Sequence, residues 1–156
     1  MCMADFMVVI IVKCLECIKS SCKPLFLFLG SLNCATFTKD GQCMLVSCLD
    51  NTLRLVDKDG GEVLSEYVGH KNESYRVESC LNNTDSLVVS GSEDGCIYAW
   101  DLIEGTVKHT LKHKNHKVVH SVSFHPSKPV MLTAAEANVY LWMDSSEISD
   151  DENDDK

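Results

Sequence analysis

No stretch of this 156-residue chain holds the roughly 20 continuous apolar residues that a bilayer-spanning helix needs. The two apolar runs near its start, Phe6 to Val12 and Pro24 to Leu29, are separated by Lys13, Glu16, Lys19 and Lys23. Asp5 stands where a secretory signal would carry positive charge, and no small-residue cleavage site follows. Residues 1–29 therefore read as a divergent apolar segment, and no membrane role is expected. An excess of basic residues is missing too. The formal net charge is −9, and a phosphate backbone needs a clustered Lys/Arg surface, so direct nucleic-acid binding is not expected. The chain also lacks a Walker loop, a dinucleotide glycine fingerprint and an HExxH pair. No cofactor and no catalytic residue is implied, and the chain reads as a non-enzyme.

Cysteine, by contrast, is abundant. There are nine, at Cys2, Cys14, Cys17, Cys22, Cys34, Cys43, Cys48, Cys80 and Cys96. The odd count and irregular spacing argue against a disulfide framework. Those from Cys34 onward fall in strand-like stretches, where a free Cys acts as a small hydrophobe. The expectation is free thiols in a reducing compartment: the cytoplasm, with a nuclear pool. Cys14, Cys17 and Cys22 invite a zinc reading, but no second Cys/His pair lies at ribbon or finger spacing. His109, His113 and His116 mimic ligand spacing as well. They sit among Lys108, Lys112, Lys114 and Lys117, whose charge disfavours a cation, so this stretch reads as a solvated basic loop and no metal site is expected.

From residue 30 onward, short runs rich in Val, Leu, Ile, Thr and Tyr alternate with turn signals at Asp40-Gly41, Asp59-Gly60-Gly61 and Asp94-Gly95. Three sets of runs align. The first comprises Leu32–Thr38, Cys43–Leu49, Thr52–Asp57 and Glu62–Val68. The second comprises Tyr75–Leu81, Ser86–Gly91, Cys96–Asp101 and Thr106–Lys112. The third comprises Val118–His125, Val130–Ala134 and Asn138–Met143. Val56, Trp100 and Trp142 occupy equivalent places, 44 and 42 residues apart. A four-strand unit at this period predicts the blades of an all-β propeller.

The second unit carries linked motifs. Gly69-His70 opens it, Ser90-Gly91-Ser92-Glu93-Asp94-Gly95 follows, and Trp100-Asp101 closes its third strand. In this the chain resembles the WD-repeat family over residues 30–143. The resemblance implies a buried hydrogen-bonded tetrad in which the Trp100 indole meets the Ser90 hydroxyl, the hydroxyl the His70 ring, and the ring the Asp94 carboxylate. A His–Ser–Asp hydrolase triad is the rival reading. It needs an exposed nucleophile, whereas Ser90 follows directly on the apolar Leu87-Val88-Val89. The other units depart from the pattern. The first has Val56 at the Trp position and Val46 at the Ser position. The third keeps Thr133 and Trp142 but replaces the turn by Ala135-Glu136-Ala137. Only one complete tetrad is expected, with the outer units looser.

Two full blades and three strands of a third do not close a ring of the four to eight blades usual for propellers. The expectation is a fragment of a seven-bladed ring, as a truncated product or an incomplete gene model. In many such rings the last blade takes its outer strand from the other terminus. Residues 144–156, which hold seven acids and one Lys, read as a disordered acidic tail. Ser149, followed by Asp150-Asp151-Glu152, is a setting that acidophilic kinases favour. The family implies a protein–protein scaffold, with Lys71, Glu73 and Glu93, beside the tetrad, as candidate partner contacts. Asp40-Gly41-Gln42, Thr52-Leu53-Arg54-Leu55 and Gly69-His70-Lys71-Asn72 are similar in order and spacing to the C-terminal part of one member. That member organises a mitogen-activated protein kinase cascade and is also found with splicing complexes. Kinase-cascade components are therefore the expected partners, with spliceosome and mRNA-processing components as the alternative.

Overall fold

The computed structural model describes residues 31–114 and 116–143. Every regular element among them is a strand: β1 (Leu32–Phe37), β2 (Cys43–Cys48), β3 (Thr52–Asp57), β4 (Val63–Val68), β5 (Ser79–Leu81), β6 (Leu87–Ser90), β7 (Cys96–Asp101), β8 (Val107–Lys112), β9 (Val119–Phe124), β10 (Met131–Ala135) and β11 (Asn138–Trp142). They form three antiparallel sheets in chain order, β1-β2-β3-β4, β5-β6-β7-β8 and β9-β10-β11. These are successive blades of a partial β-propeller, with the expected strands at nearly the expected places. The clearest difference is β5, expected from Tyr75 but begun only at Ser79. The amides of Glu73, Ser74 and Tyr75 bond the Glu93 carboxylate instead of a neighbouring strand. The apolar segment 1–29, the acidic tail and Ser149 lie outside the described residues.

Alternation along each strand sends one set of side chains to each neighbour. Leu45, Leu53, Leu55 and Tyr67 of the first blade close on Val88 and Trp100 of the second. On the second blade's other face, Val89, Ile97 and Ala99 meet Val119, Val122, Met131 and Ala135 of the third. The core thus lies between sheets, as two stacked seams. The unusual first blade is held as expected by apolar packing: Val46, Cys48 and Val56 form a buried cluster on its remaining face. The third blade's far face leaves Leu132, Val139 and Leu141 exposed.

Two glycines set how closely the second and third blades approach. A Cβ on Gly91 would lie 2.2 Å from the Val119 carbonyl oxygen. Gly95 sits at φ +82°, and a Cβ there would lie 2.8 Å from the His116 Cα. No side chain fits at either place without moving backbone.

Candidate functional site

Three of the tetrad positions, His70, Ser90 and Trp100, gather on one face, but the bonds differ from the expected chain. Trp100 and Ser90 both face the first blade, since Val88 pairs with Trp100 and Ser90 with Tyr98. The His70 and Trp100 rings meet edge to face at 5.4 Å. The indole N–H, however, donates to the Val68 carbonyl at 2.9 Å, and the Ser90 hydroxyl donates to the Gly91 carbonyl at 2.9 Å. Asp94 is exposed. Its carboxylate accepts the Cys96 N–H at 2.9 Å and the Tyr98 hydroxyl at 2.8 Å, and thereby fixes its own turn. His70 is left buried, and neither ring nitrogen has a partner among the described residues. Burial pushes its pKa down to about 4, so the ring is neutral at physiological pH. The Trp100–Ser90–His70–Asp94 chain is thus corrected to a packed cluster with an orphaned imidazole.

The bonded chain occurs in the third blade instead. The Trp142 indole N–H donates to the Thr133 hydroxyl at 2.8 Å, and that hydroxyl bonds the His113 Nε2 at 3.0 Å. The indole can only donate, and the hydroxyl, with one proton and two lone pairs, accepts from it while bonding the His113 ring. The pairing register is the same in both blades, Met131 with Trp142 and Thr133 with Tyr140. The His–Trp ring distance is again 5.4 Å. What differs is the hydroxyl residue. Thr is β-branched and its χ1 is restricted, whereas the Ser90 hydroxyl is free to turn to the adjacent carbonyl. His113 is therefore not part of a solvated loop: it is 1% exposed. The strength of the Gly-His signal at Gly69-His70, and its absence before His113, pointed sequence reasoning to the wrong blade.

The candidate contacts Lys71, Glu73 and Glu93 lie together on the loop face, where one role changes. Glu93 Oε1 accepts the N–H groups of Glu73, Ser74 and Tyr75 at 2.7, 2.6 and 2.9 Å. Burial by itself would raise the Glu93 carboxyl; the amides of Ser74, Tyr75 and Glu73, with Lys71 nearby, bring it below its ordinary value. Glu93 thus holds the loop, while Lys71 and Glu73 pair at its surface at 3.7 Å. Sequence reasoning missed Asn72 in the same loop. Fully buried, it donates to the Ser47 hydroxyl at 3.1 Å and the Cys48 carbonyl at 3.3 Å, and it accepts from Asn33 at 2.9 Å. Its own N–H bonds the Asn51 side chain at 2.7 Å. A buried amide needs such partners, yet nothing in its local sequence says that they lie in the preceding blade.

Three consecutive matches to the family model "WD domain, G-beta repeat" cover residues 22–57, 61–101 and 105–143; each ends one residue past the Trp position, and the second and third begin with the outer strand of the preceding blade, β4 and β8. The chain belongs to the WD40 repeat family. It is similar to WD repeat domain-containing protein 83 of Mus musculus, 47% identical over 120 residues that cover 76% of this chain and 38% of the relative. The Danio rerio protein of that name is 50% identical over 117 residues, 74% of this chain and 36% of the relative. The Dictyostelium discoideum homolog is 39% identical over 117 residues, 74% of this chain and 35% of the relative. The WD-repeat chain therefore spans a little over a third of the length of these relatives.

WD40 repeats generally serve as protein-interaction domains without catalysis. Ser90 is fully buried, with its hydroxyl turned to a backbone carbonyl rather than to a base. The thiols of Cys34, Cys43, Cys48, Cys80 and Cys96 are free, and burial raises each of them, Cys80 to about 12. None is an activated nucleophile. No three His, Cys, Asp or Glu side chains gather into a metal-holding group among the described residues. Cys2, Cys14, Cys17 and Cys22 lie outside them.

Proposed function

We propose that this chain is part of a WD-repeat scaffold that organises a mitogen-activated protein kinase signalling module. The observation that carries the interaction surface is the loop held by Glu93. One carboxylate oxygen fixes three successive backbone amides there, while Lys71, Tyr75 and Arg76 keep about half their side chains exposed. A loop already ordered before contact avoids the entropy cost of ordering on binding. Lys71 and Glu73 supply charges of both signs for a partner, and Glu93 is the positioning residue behind them. The kinase assignment rests on the resemblance of Asp40-Gly41-Gln42, Thr52-Leu53-Arg54-Leu55 and Gly69-His70-Lys71-Asn72 to the mitogen-activated protein kinase organizer.

The test is affinity capture of the chain from cells, with mass spectrometry sorting kinase-cascade components from splicing components. A Lys71→Glu, Glu73→Lys double variant serves as control. Enrichment of kinases that the variant loses supports the reading. Enrichment of splicing components instead replaces it with a role in mRNA processing. Capture that the variant leaves unchanged removes the loop from the site. The proposal puts the scaffold in the cytoplasm with a nuclear pool, in keeping with its free thiols, and fluorescence imaging of the tagged chain tests it.

A further inference from the structure

The first strands of the three sheets, β1, β5 and β9, lie next to one another. The loop that leads into β5 ends at that junction, and Tyr75 and Arg76 are its last exposed residues before the buried Val77. All three blades hold the backbone of this pair. The Tyr75 N–H donates to Glu93 of the second blade at 2.9 Å. The Tyr75 carbonyl accepts from the Asn33 side chain of the first blade at 3.3 Å. The Arg76 carbonyl lies 3.4 Å from Nδ1 of His120 in the third. The Tyr75 ring stands edge to face on His120, with centroids 5.9 Å apart, and stays half exposed. A large side chain displayed on a backbone pinned in this way loses little freedom on binding.

The acids of the loop are committed inside the protein. Glu93 Oε1 takes the amides of Glu73, Ser74 and Tyr75. Glu78 Oε2 takes the Ser121 hydroxyl at 2.6 Å, and Glu73 Oε1 takes the Asn51 side-chain amide at 3.1 Å. The cations are not so committed. Among the described residues, Arg76 has one ion-pair contact, Glu78 at 3.6 Å, and Lys71 has one, Glu73 at 3.7 Å. Both exceed hydrogen-bond distance, and half-exposed pairs of that length contribute almost nothing. Arg76 therefore presents a planar fork of N–H donors, the shape that binds a carboxylate through two parallel bonds. Beside it stands the exposed Tyr75. Tyr and Arg are also the side chains that most often dominate the energy of a protein interface.

We infer that Tyr75 and Arg76 are the anchor of the contact surface, and that they take an acidic peptide segment of another protein. The Arg76 guanidinium receives the carboxylate of an Asp or Glu on that segment, and an apolar neighbour of the acid packs on the Tyr75 ring. Lys71 adds a weaker attraction from the far end of the loop. Such an anchor presupposes that the Glu93-held loop is the contact surface.

A random heptapeptide library selected on the intact chain tests this, followed by fluorescence polarisation with the selected peptides. The expected consensus holds Asp or Glu next to an apolar residue. Arg76→Ala and Tyr75→Ala should each weaken binding by about tenfold or more. Replacing the peptide's acid by Lys should abolish binding to the parent chain and restore it to Arg76→Glu, a reversal that misfolding cannot mimic. Circular dichroism and a thermal melt check the fold of each variant. The proposal is overturned by a selection that enriches no sequence or by a consensus without an acid. Affinity that either alanine variant leaves unchanged, or a charge swap that restores nothing in folded Arg76→Glu, overturns it as well. The kinase assignment fails separately. Acidic peptides that need Arg76, together with cellular capture of splicing components, keep the anchor and remove the kinases. Kinase capture that Arg76→Glu leaves intact keeps the kinases and removes the anchor.

Discussion

Replacing Thr133 by Val keeps the shape and β-branching of the side chain and removes only the hydroxyl. That hydroxyl makes two bonds, to Trp142 at 2.8 Å and to His113 at 3.0 Å. Each neutral bond contributes about 1 kcal/mol, and a buried group stripped of its partner costs about 1–3 kcal/mol. Trp142 is half-buried, so its N–H can turn to water, but His113 is 1% exposed and would be stranded. The extra buried methyl returns about 0.8 kcal/mol. The expected net loss is about 2–3 kcal/mol, which at about 2–4 °C per kcal/mol lowers Tm by about 5–10 °C. Ser90→Ala is the companion measurement. The Ser90 hydroxyl reaches only the adjacent Gly91 carbonyl, so its loss should cost no more than about 1 kcal/mol. Thermal melts of both variants, with urea titration to place ΔG, compare the two directly. If Ser90→Ala proves as costly as Thr133→Val, the second blade holds the bonded chain after all and the reasoning fails.

Three further outcomes rest on the same geometry. The folded pKa of His70, about 4, lies below the unfolded value near 6.5, so the unfolded chain binds more protons between them. The stability contributed by the neutral ring is present above about 6.5 and is lost as pH falls towards 4, on the order of 3 kcal/mol. In urea titrations across that range, His70→Phe should show a visibly flatter pH dependence. Asn72→Ala removes three side-chain bonds to the first blade and should lower the urea midpoint by the equivalent of about 2–3 kcal/mol with an unchanged m-value. Gly91→Ala places a Cβ 2.2 Å from the Val119 oxygen and should cost more than about 2 kcal/mol, with accelerated amide exchange in β9. A Tm within error of the parent's would show that the junction yields.

The strands were legible in the sequence because each blade repeats the same alternation and turn chemistry at one period. Cys43–Asp57 and Cys96–Asp101 fall within a residue of expectation for that reason. The site was legible only in part. The His, Ser, Asp and Trp positions could be found by spacing, and the structure does bring His70, Ser90 and Trp100 to one face. Which hydroxyl closes the bonded chain is a rotamer question, and the Ser/Thr difference at positions 90 and 133 carries it. That difference has little weight beside a missing Gly before His113. Glu93 could be seen as a loop residue, but its task of gathering three amides depends on the path of residues 73–75. The roles of Asn72 and Gly91 arise from contacts between blades, which no local pattern encodes.

The bonding of Asn72 also separates the unit of sequence from the unit of construction. Asn72 stands in the opening loop of the second blade, yet its side chain is satisfied by Asn33, Ser47 and Cys48 of the first, and Asn51 takes its amide. A chimera that exchanged the second repeat at its sequence boundary, after Glu62 for example, would carry this asparagine away and leave the socket behind. Transplanted into a foreign neighbour, it would bury an amide with nothing to bond. The exchangeable module is therefore offset from the repeat: it must include the β2–β3 corner of the preceding blade, or a matching corner must be rebuilt in the host.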